Sequence, residues 1–506
     1  MDAVRCAAGD GVVLSGPRTR RFDCGGRRSR LIRMPTSQIA RGHSRLLAIE
    51  TPNALGHTST LTVVDAVNAP RRLNAALLRQ EVSARLDDLP MLRQSLAEVP
   101  LNLDRPWWRD HPGFDLNYHL RHIAVPDPDD PDSLADLVAR IHSRPLDRGR
   151  PLWELYLISG LTDGRAALLF KMHLAALAAS TGNSLCAGLI GDSPDLIGEP
   201  ADELRNWVPE PGPSLHDIGT RAWLNALVDP MRTLTTVPRT LNSVPGLRSI
   251  MNPALALMNQ RSQRSIVIAD QSGITPRTSF NGRIGPHRRW ASAELDLRRI
   301  ATVRSRFGVS TVDVLTAVCG GALRWWLLEH DELPRETLKA LVPLSVTDPE
   351  AIEGIAGAVV GLGTNLHRIP ERLAIVHEQI GEAVMRHGAM TAAEIRGIGG
   401  GTPLLGIVAS RLLERSPLAD RLMPPFNTTI TSVPGSKQPQ YALGAEVTAI
   451  YPVLGVVDGM GLHIGAISVG DRLCLSLVSD REQIPDLAEL ATRIVHEFEL
   501  LEKSKP

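Results

Sequence analysis

The side chains best suited to moving protons near neutral pH in this sequence are its fifteen histidines, because an unperturbed imidazole titrates there. His111, His119 and His122 lie close together. On an extended strand His119 and His122 face opposite sides, so the three read as solvated surface histidines rather than metal ligands. His173 differs, because it closes the apolar run Leu168-Leu169-Phe170-Lys171-Met172. It reads as a partly buried, internally bonded histidine. To serve as a general base it would need a lone pair aimed at a hydroxyl. Arg288 and Arg289 open a later strand and have the donor geometry for phosphate oxygens, with ion pairing inside the fold as the alternative. Glu154 reads as the partner of a nearby arginine. Trp107-Trp108, flanked by Arg105 and Arg109, reads as a packed hairpin corner, with contact to a membrane surface as the alternative. Asp458-Gly459 reads as a turn.

The elements that must position these groups follow from periodicity and punctuation. Residues 58–65 are β-branched and read as a strand. Asn74–Leu86 has helical spacing. Phe114–Val125 alternates and reads as a strand, and Ser133–His142 as a helix capped by Ser133. Leu152–Gly160 and Ala166–His173 are apolar runs around Thr162-Asp163-Gly164, a hairpin signal. Further on, Arg289–Leu295 is a strand, and Asp296 caps a helix to Phe307. Thr311–Leu328 is a long apolar helix. Leu338–Val346, Asn427–Val433, Val447–Tyr451, Gly461–Ser468 and Arg472–Val478 read as strands, and Asp486–Leu501 as an amphipathic helix. There is no regular βαβ period and no G-x-G-x-x-G loop. The expected class is α+β, with two domains and mixed sheets.

Composition narrows the function classes. The 506 residues carry 55 basic and 55 acidic side chains, and aromatics are 4%. A neutral, aromatic-poor chain is a poor nucleic-acid binder. Cys6, Cys24, Cys186, Cys319 and Cys474 are scattered without a C-x-x-C pair. That excludes a disulfide scaffold and a cysteine zinc site, and suits a reducing compartment. The apolar runs are too short or too interrupted to span a bilayer. Eight arginines in residues 1–33 give that segment a net charge of +5 and leave −5 on the rest. It reads as a disordered extension, or as translated sequence ahead of a start at Met34. Residues 203–275 are studded with prolines and read as a helical crossover.

Several segments together resemble the bacterial wax ester synthase/acyl-CoA:diacylglycerol acyltransferase family. They are His142-Ser143-Arg144-Pro145-Leu146-Asp147-Arg148 running into Pro151-Leu152-Trp153-Glu154, then Leu168–His173. Asn281-Gly282 follows, with Gly285-Pro286-His287-Arg288-Arg289, then Val312-Asp313-Val314. Last come Asn427 with Ser432-Val433-Pro434-Gly435, and Gly461-Leu462 through Val478-Ser479-Asp480-Arg481. The resemblance covers roughly Ser37 to Leu501. It implies two chloramphenicol-acetyltransferase-like domains with mixed sheets and an active-site tunnel between them. The divisions expected are an Arg-rich extension over 1–34, a first domain over 35–205, a crossover over 206–275 and a second domain over 276–506.

The implied reaction is direct transfer of a long-chain acyl group from acyl-CoA, a substrate, to the hydroxyl of diacylglycerol or a long-chain alcohol. No metal, cofactor or covalent acyl-enzyme is implied. The implied setting is cytoplasmic, peripheral at the inner membrane or at lipid inclusions. The family motif is H-H-x-x-x-D-G, whose second histidine is the base. Here His173 takes the first position, while Leu174, Ala178 and Ala179 stand at the base, aspartate and glycine positions. Val312 replaces an asparagine, Ser432 stands in S-N-V-P-G, and His463 ends the later G-L-N. His173 is the candidate catalytic side chain, and Ser432, Asn427 and Arg288 are candidate substrate contacts. The alternative reading is a catalytically impaired paralogue that binds acyl-CoA or lipid, or acts as a scaffold.

Overall fold

Among the described residues the apolar runs are organised as three sheets and the helices that cover them. The computed structural model describes residues 36–48, 50–99, 104–130, 132–180, 188–195, 207–210, 217, 220, 275–344, 356–388 and 424–505. The Arg-rich extension and nearly all of the expected crossover lie outside these.

In chain order the strands are β1 (Ser37–Gln38), β2 (His57–Asp65), β3 (Gln94–Ala97), β4 (Trp107–Asp110), β5 (Leu120–Ala124), β6 (Trp153–Ser159), β7 (Arg165–His173) and β8 (Ile190–Gly191). Then come β9 (Arg288–Asp296), β10 (Lys339–Leu344), β11 (Ala356–Gly361), β12 (Thr428–Val433), β13 (Tyr441–Ala442), β14 (Ala445–Val453), β15 (Leu462–Val469) and β16 (Arg472–Asp480). The helices are α1 (Arg41–Ala48), α2 (Ala75–Ser83), α3 (Leu116–His119), α4 (Ser133–His142), α5 (Leu174–Ala179), α6 (Leu297–Phe307), α7 (Thr311–Glu329), α8 (Ile369–Gly388) and α9 (Leu487–Lys503).

The first large sheet has the order β5-β6-β7-β2-β14-β13-β8 and the second β11-β10-β12-β15-β16-β9, with a small β1-β4-β3 sheet beside them. Both large sheets are mixed. The β5–β6 pair is parallel in the first, and β10–β12 and β12–β15 are parallel in the second. β14 comes late in the chain yet pairs with β2, Tyr451 facing Leu61. The second half of the chain therefore donates a central strand to the first sheet. That strand is apolar on both faces, apart from Glu446 and Thr448, and such a run is satisfied in the middle of a covered sheet.

Local chemistry sets the boundaries. The Asp296 carboxylate accepts from the N–H groups of Arg298 and Arg299 to start α6, and Gly308 ends it at φ 69°. Ser310 and Asp313 form a reciprocal capping box at the start of α7. The Thr162–Gly164 turn holds Asp163 at φ 59° and joins β6 to β7 as an antiparallel pair. Two expectations change. Ser133 does not cap α4; its hydroxyl accepts from Asp127 N–H, and Asp132 is the cap residue. Residues 114–119 are not strand either: Asp115 caps the one-turn helix α3 ahead of β5.

α7 is long and apolar enough to cross a membrane, but most of it lies inside the protein. Its Leu315, Val318, Ala322 and Trp326 pack in the second core with Ile464, Leu475 and Phe498. Gly320 faces the carbonyl oxygen of Leu362, and a Cβ there would sit 2.3 Å from that atom. The neighbouring Gly321 leaves room for the buried Arg372–Glu497 ion pair. Helix propensity alone would favour Gly320→Ala by about 1 kcal/mol. We expect the opposite sign, a loss of about 1–3 kcal/mol from overpacking, measured as a lower denaturant midpoint. An unchanged or raised midpoint would contradict the close approach.

Candidate active site

β2 and β7 are antiparallel neighbours at the centre of the first sheet. His57 lies opposite His173, Thr58 opposite Met172 and Ser59 opposite Lys171. Ladder partners share a face, so His57, Ser59, Lys171 and His173 lie on one side of the sheet, where the first three meet α4. Lys171 is fully buried, and its ammonium donates to the carbonyls of Ile141 (2.9 Å) and Arg144 at the end of α4. A cation at a helix C-terminus is electrostatically favourable. Burial still pushes Lys171 down to about 8, against the opposing pull of Glu154.

His142 closes α4 and is 3% exposed. Its Nδ1 meets Ser59 Oγ at 3.0 Å, and its carbonyl accepts from His57 Nε2 at 2.7 Å. The two rings meet edge to face at 4.9 Å. Burial, then the Lys171 charge, pushes His142 to about 3 and His57 well below the usual histidine range. With Nε2–H used as a donor, His57 Nδ1 is a buried lone pair without a partner among the described residues.

His173 is 2% exposed and sits just before α5. Its Nδ1 accepts from Ala175 N–H at 3.0 Å, so the ring proton lies on Nε2 and is donated to Glu50 Oε1 at 2.5 Å. Glu50 also pairs with Arg148, Oε2 to Nη2, at 2.5 Å. Both nitrogens of His173 are thus consumed by the fold. Gly56, at φ 62°, makes this possible, because a Cβ there would lie 2.7 Å from His173 Nε2. Leu174 N–H donates to Gly56 O at 2.9 Å. The side chains of Leu174, Ala178 and Ala179 bring no proton acceptor to α5.

The other candidates have definite places. Arg288 is buried at the seam between the two halves. Its guanidinium donates to Asn53 O, Gly285 O (2.8 Å) and His287 O (2.9 Å) and pairs with Asp480 at 3.4 Å. Its N–H donates to Ser143 Oγ at 3.0 Å. Asn53 Nδ2 donates in turn to Ile284 O at 2.8 Å. Asn427 is fully buried: its amide donates to Pro276 O and Asn281 Oδ1 and accepts from Lys339 N–H. Arg288 and Asn427 are therefore committed within the fold. Ser432 is half-buried near the end of β12, in the second sheet, whereas His173 belongs to the first. His463 meets Thr431 Oγ1 at 3.1 Å.

The histidine trio does not act as a unit. His119 is 1% exposed, stacked on Trp153 at 4.5 Å, and bonded through Nδ1 to Trp153 O. Burial lowers it to about 4. This corrects its reading as a surface histidine: the turn of α3 carries it inward. Glu154 pairs with Arg121 at 3.5 Å and accepts from Tyr156. Trp108 is buried in the β3–β4 hairpin. Among the described residues no three His, Cys, Asp or Glu gather as a metal site. Glu50 and His57 were missed in the sequence. The Gly56-His57 pair just before a β-branched run was the available signal for His57, while Glu50 lies 123 residues from His173 and left none.

Two large mixed sheets, the first completed by β14 from the second half of the chain, define an α+β fold. The wax ester synthase/diacylglycerol acyltransferase from Marinobacter aquaeolei VT8 superposes over 92% of this chain and 99% of its own with a TM-score of 0.67, at 23% identity. Residues 43–315 match the wax ester synthase/diacylglycerol acyltransferase catalytic domain, and residues 354–502 match the WS/DGAT C-terminal domain. The Mycobacterium tuberculosis H37Rv protein named "Putative diacyglycerol O-acyltransferase Rv0221" is 30% identical over 90% of this chain and 93% of its own. A second from that organism, "Putative diacyglycerol O-acyltransferase Rv3740c", is 32% identical over 82% of this chain and 88% of its own. The chain belongs to the wax ester synthase/diacylglycerol acyltransferase family, as the sequence motifs implied.

The buried histidines set a pH dependence. His57, His119 and His142 are neutral in the fold, whereas an unfolded chain protonates histidine below about pH 6.5. Below that pH the unfolded state binds more protons, so stability falls as pH falls. Each group removes up to ~1.4 kcal/mol per pH unit until its folded value is reached. Chemical denaturation at pH 7, 6 and 5 should show a progressive loss. His119→Gln should flatten it. Equal stability at pH 7 and 5 would contradict the neutral burial.

Proposed function

We propose that the protein is an acyl-CoA-dependent O-acyltransferase that transfers a long-chain acyl group to the hydroxyl of diacylglycerol or a long-chain alcohol. The products are triacylglycerol or wax ester, and free CoA. The observation that carries this reading is the family match over both domains, together with the strands and seam that go with it. In this reading acyl-CoA is a substrate and no cofactor takes part. Ser432 keeps a hydroxyl available to a ligand, whereas Arg288 acts by holding the seam. The setting is cytoplasmic, at the inner membrane face or at lipid inclusions, where both lipid substrates reside.

Turnover is slow in this reading. A hydroxyl attacking a thioester needs its proton removed, and a positioned base supplies about 10²–10⁴ in rate. The motif supplies no such base, because Leu174 has no acceptor and His173 has both nitrogens engaged, so turnover depends on a base outside it. The same observation favours a second reading, a paralogue that binds acyl-CoA or lipid without turnover.

CoA release from a long-chain acyl-CoA, with diacylglycerol or a long-chain alcohol as acceptor, separates the two. We expect slow release by the wild type above a heat-inactivated control. The variant Leu174→His/Ala178→Asp/Ala179→Gly should release it about 10²-fold faster or more. An inert wild type that binds acyl-CoA, with an active triple variant, would establish the second reading. No release and no binding by either protein would overturn both for these substrates.

A further inference from the structure

Resting on the acyl-transfer reading, we propose that His57 Nδ1, not a side chain of the degenerate motif, takes the proton of the acceptor hydroxyl. Three observations meet at this atom. It is a buried lone pair with no hydrogen-bond partner among the described residues, and leaving such a group unsatisfied costs about 1–3 kcal/mol. A ligand hydroxyl donating to Nδ1 would remove that cost. The opposite nitrogen donates to the His142 carbonyl at 2.7 Å, which fixes the tautomer and aims the lone pair, as an orienting group does for a catalytic imidazole. His57 also lies opposite His173 on the adjoining strand, one strand away from the motif. Four residues before it, Asn53 is bonded to Ile284 and Arg288 of the second half.

The step balances. The hydroxyl proton passes to Nδ1 as the oxygen forms a C–O bond to the thioester carbonyl carbon. Collapse of the tetrahedral adduct breaks the C–S bond. The departing sulfur takes the proton back from Nδ1, leaving an ester, CoA thiol and neutral His57. The groups facing the ring are Lys171 and His173 from β7 and His142 from α4, with Glu50 behind His173. Burial and three of these groups disfavour positive charge on the ring, which keeps the resting imidazole neutral and its lone pair free.

The test measures CoA release by the full chain, with a long-chain acyl-CoA and a long-chain alcohol or diacylglycerol. His57→Gln keeps an N–H for the His142 carbonyl and removes the lone pair. It should lower kcat about 10²-fold or more while leaving the dissociation constant for acyl-CoA within twofold. His57→Gln retaining kcat within threefold of wild type would overturn this assignment and leave the acyl-transfer reading intact. The wild-type pH profile decides independently if that variant does not fold. Release should change less than twofold between pH 6 and 7.5. A rise of about fourfold, the titration of a histidine with an ordinary value, would assign the base elsewhere. A wild type that releases no CoA above buffer would overturn both the assignment and the reading.

Discussion

The first half of the molecule is organised around one buried cation. Lys171 lies at the middle of a covered sheet and spends its ammonium on the carbonyls of Ile141 and Arg144. Ile141 lies in the last turn of α4 and Arg144 just beyond it, where carbonyls no longer receive the full set of helical partners. The bond pins α4 to β7 and, with it, His142 over His57 and Ser59. It also places Ser143, whose hydroxyl receives Arg288 N–H from the second half. One ammonium thus couples sheet, helix and seam, and its charge adds to burial in keeping His57 and His142 neutral.

The seam is not a simple contact between two finished domains. β14 leaves the second half to pair with β2, and β9 of the second sheet brings Arg288 back against α4. The first sheet is incomplete without chain from the second half. A fold built this way resists losing its architecture when individual active-site side chains change. That is consistent with intact sheets around a motif in which Leu174, Ala178 and Ala179 stand where the reactive groups would be. His173 has a structural role at its position, because it caps α5 and anchors the Glu50–Arg148 pair.

Much of the fold was legible from short-range chemistry. The Asp296 cap, the Asp163 turn and the strand runs at 165–173 and 472–480 are local, and they fall close to where caps and β-branched runs placed them. The family motifs carried the order of the elements and the position of the vacated base. The rest depended on distance. Nothing in the sequence shows that residues 445–453 pair with 57–65, because an apolar strand suits either sheet. The partners of His173 were hidden for the same reason. His119 was misread because alternation in 114–125 imitates a strand, while Asp115 diverts the backbone into a helical turn. Asn427 and Arg288 stand at strand ends that the motifs marked, but their donors and acceptors are consumed by distant backbone that only the folded chain reveals.

The vacated motif turns on His173 being a bonded structural histidine whose proton is committed to Glu50. Long-range proton–nitrogen NMR on histidine-labelled protein at pH 7 reads this directly. A protonated Nε2 and an acceptor Nδ1 are expected for His173, with Glu50→Gln shifting the Nε2 signal. A His173 ring protonated on Nδ1, with Nε2 free and unmoved by Glu50→Gln, would contradict this and return the motif histidine to the role of base.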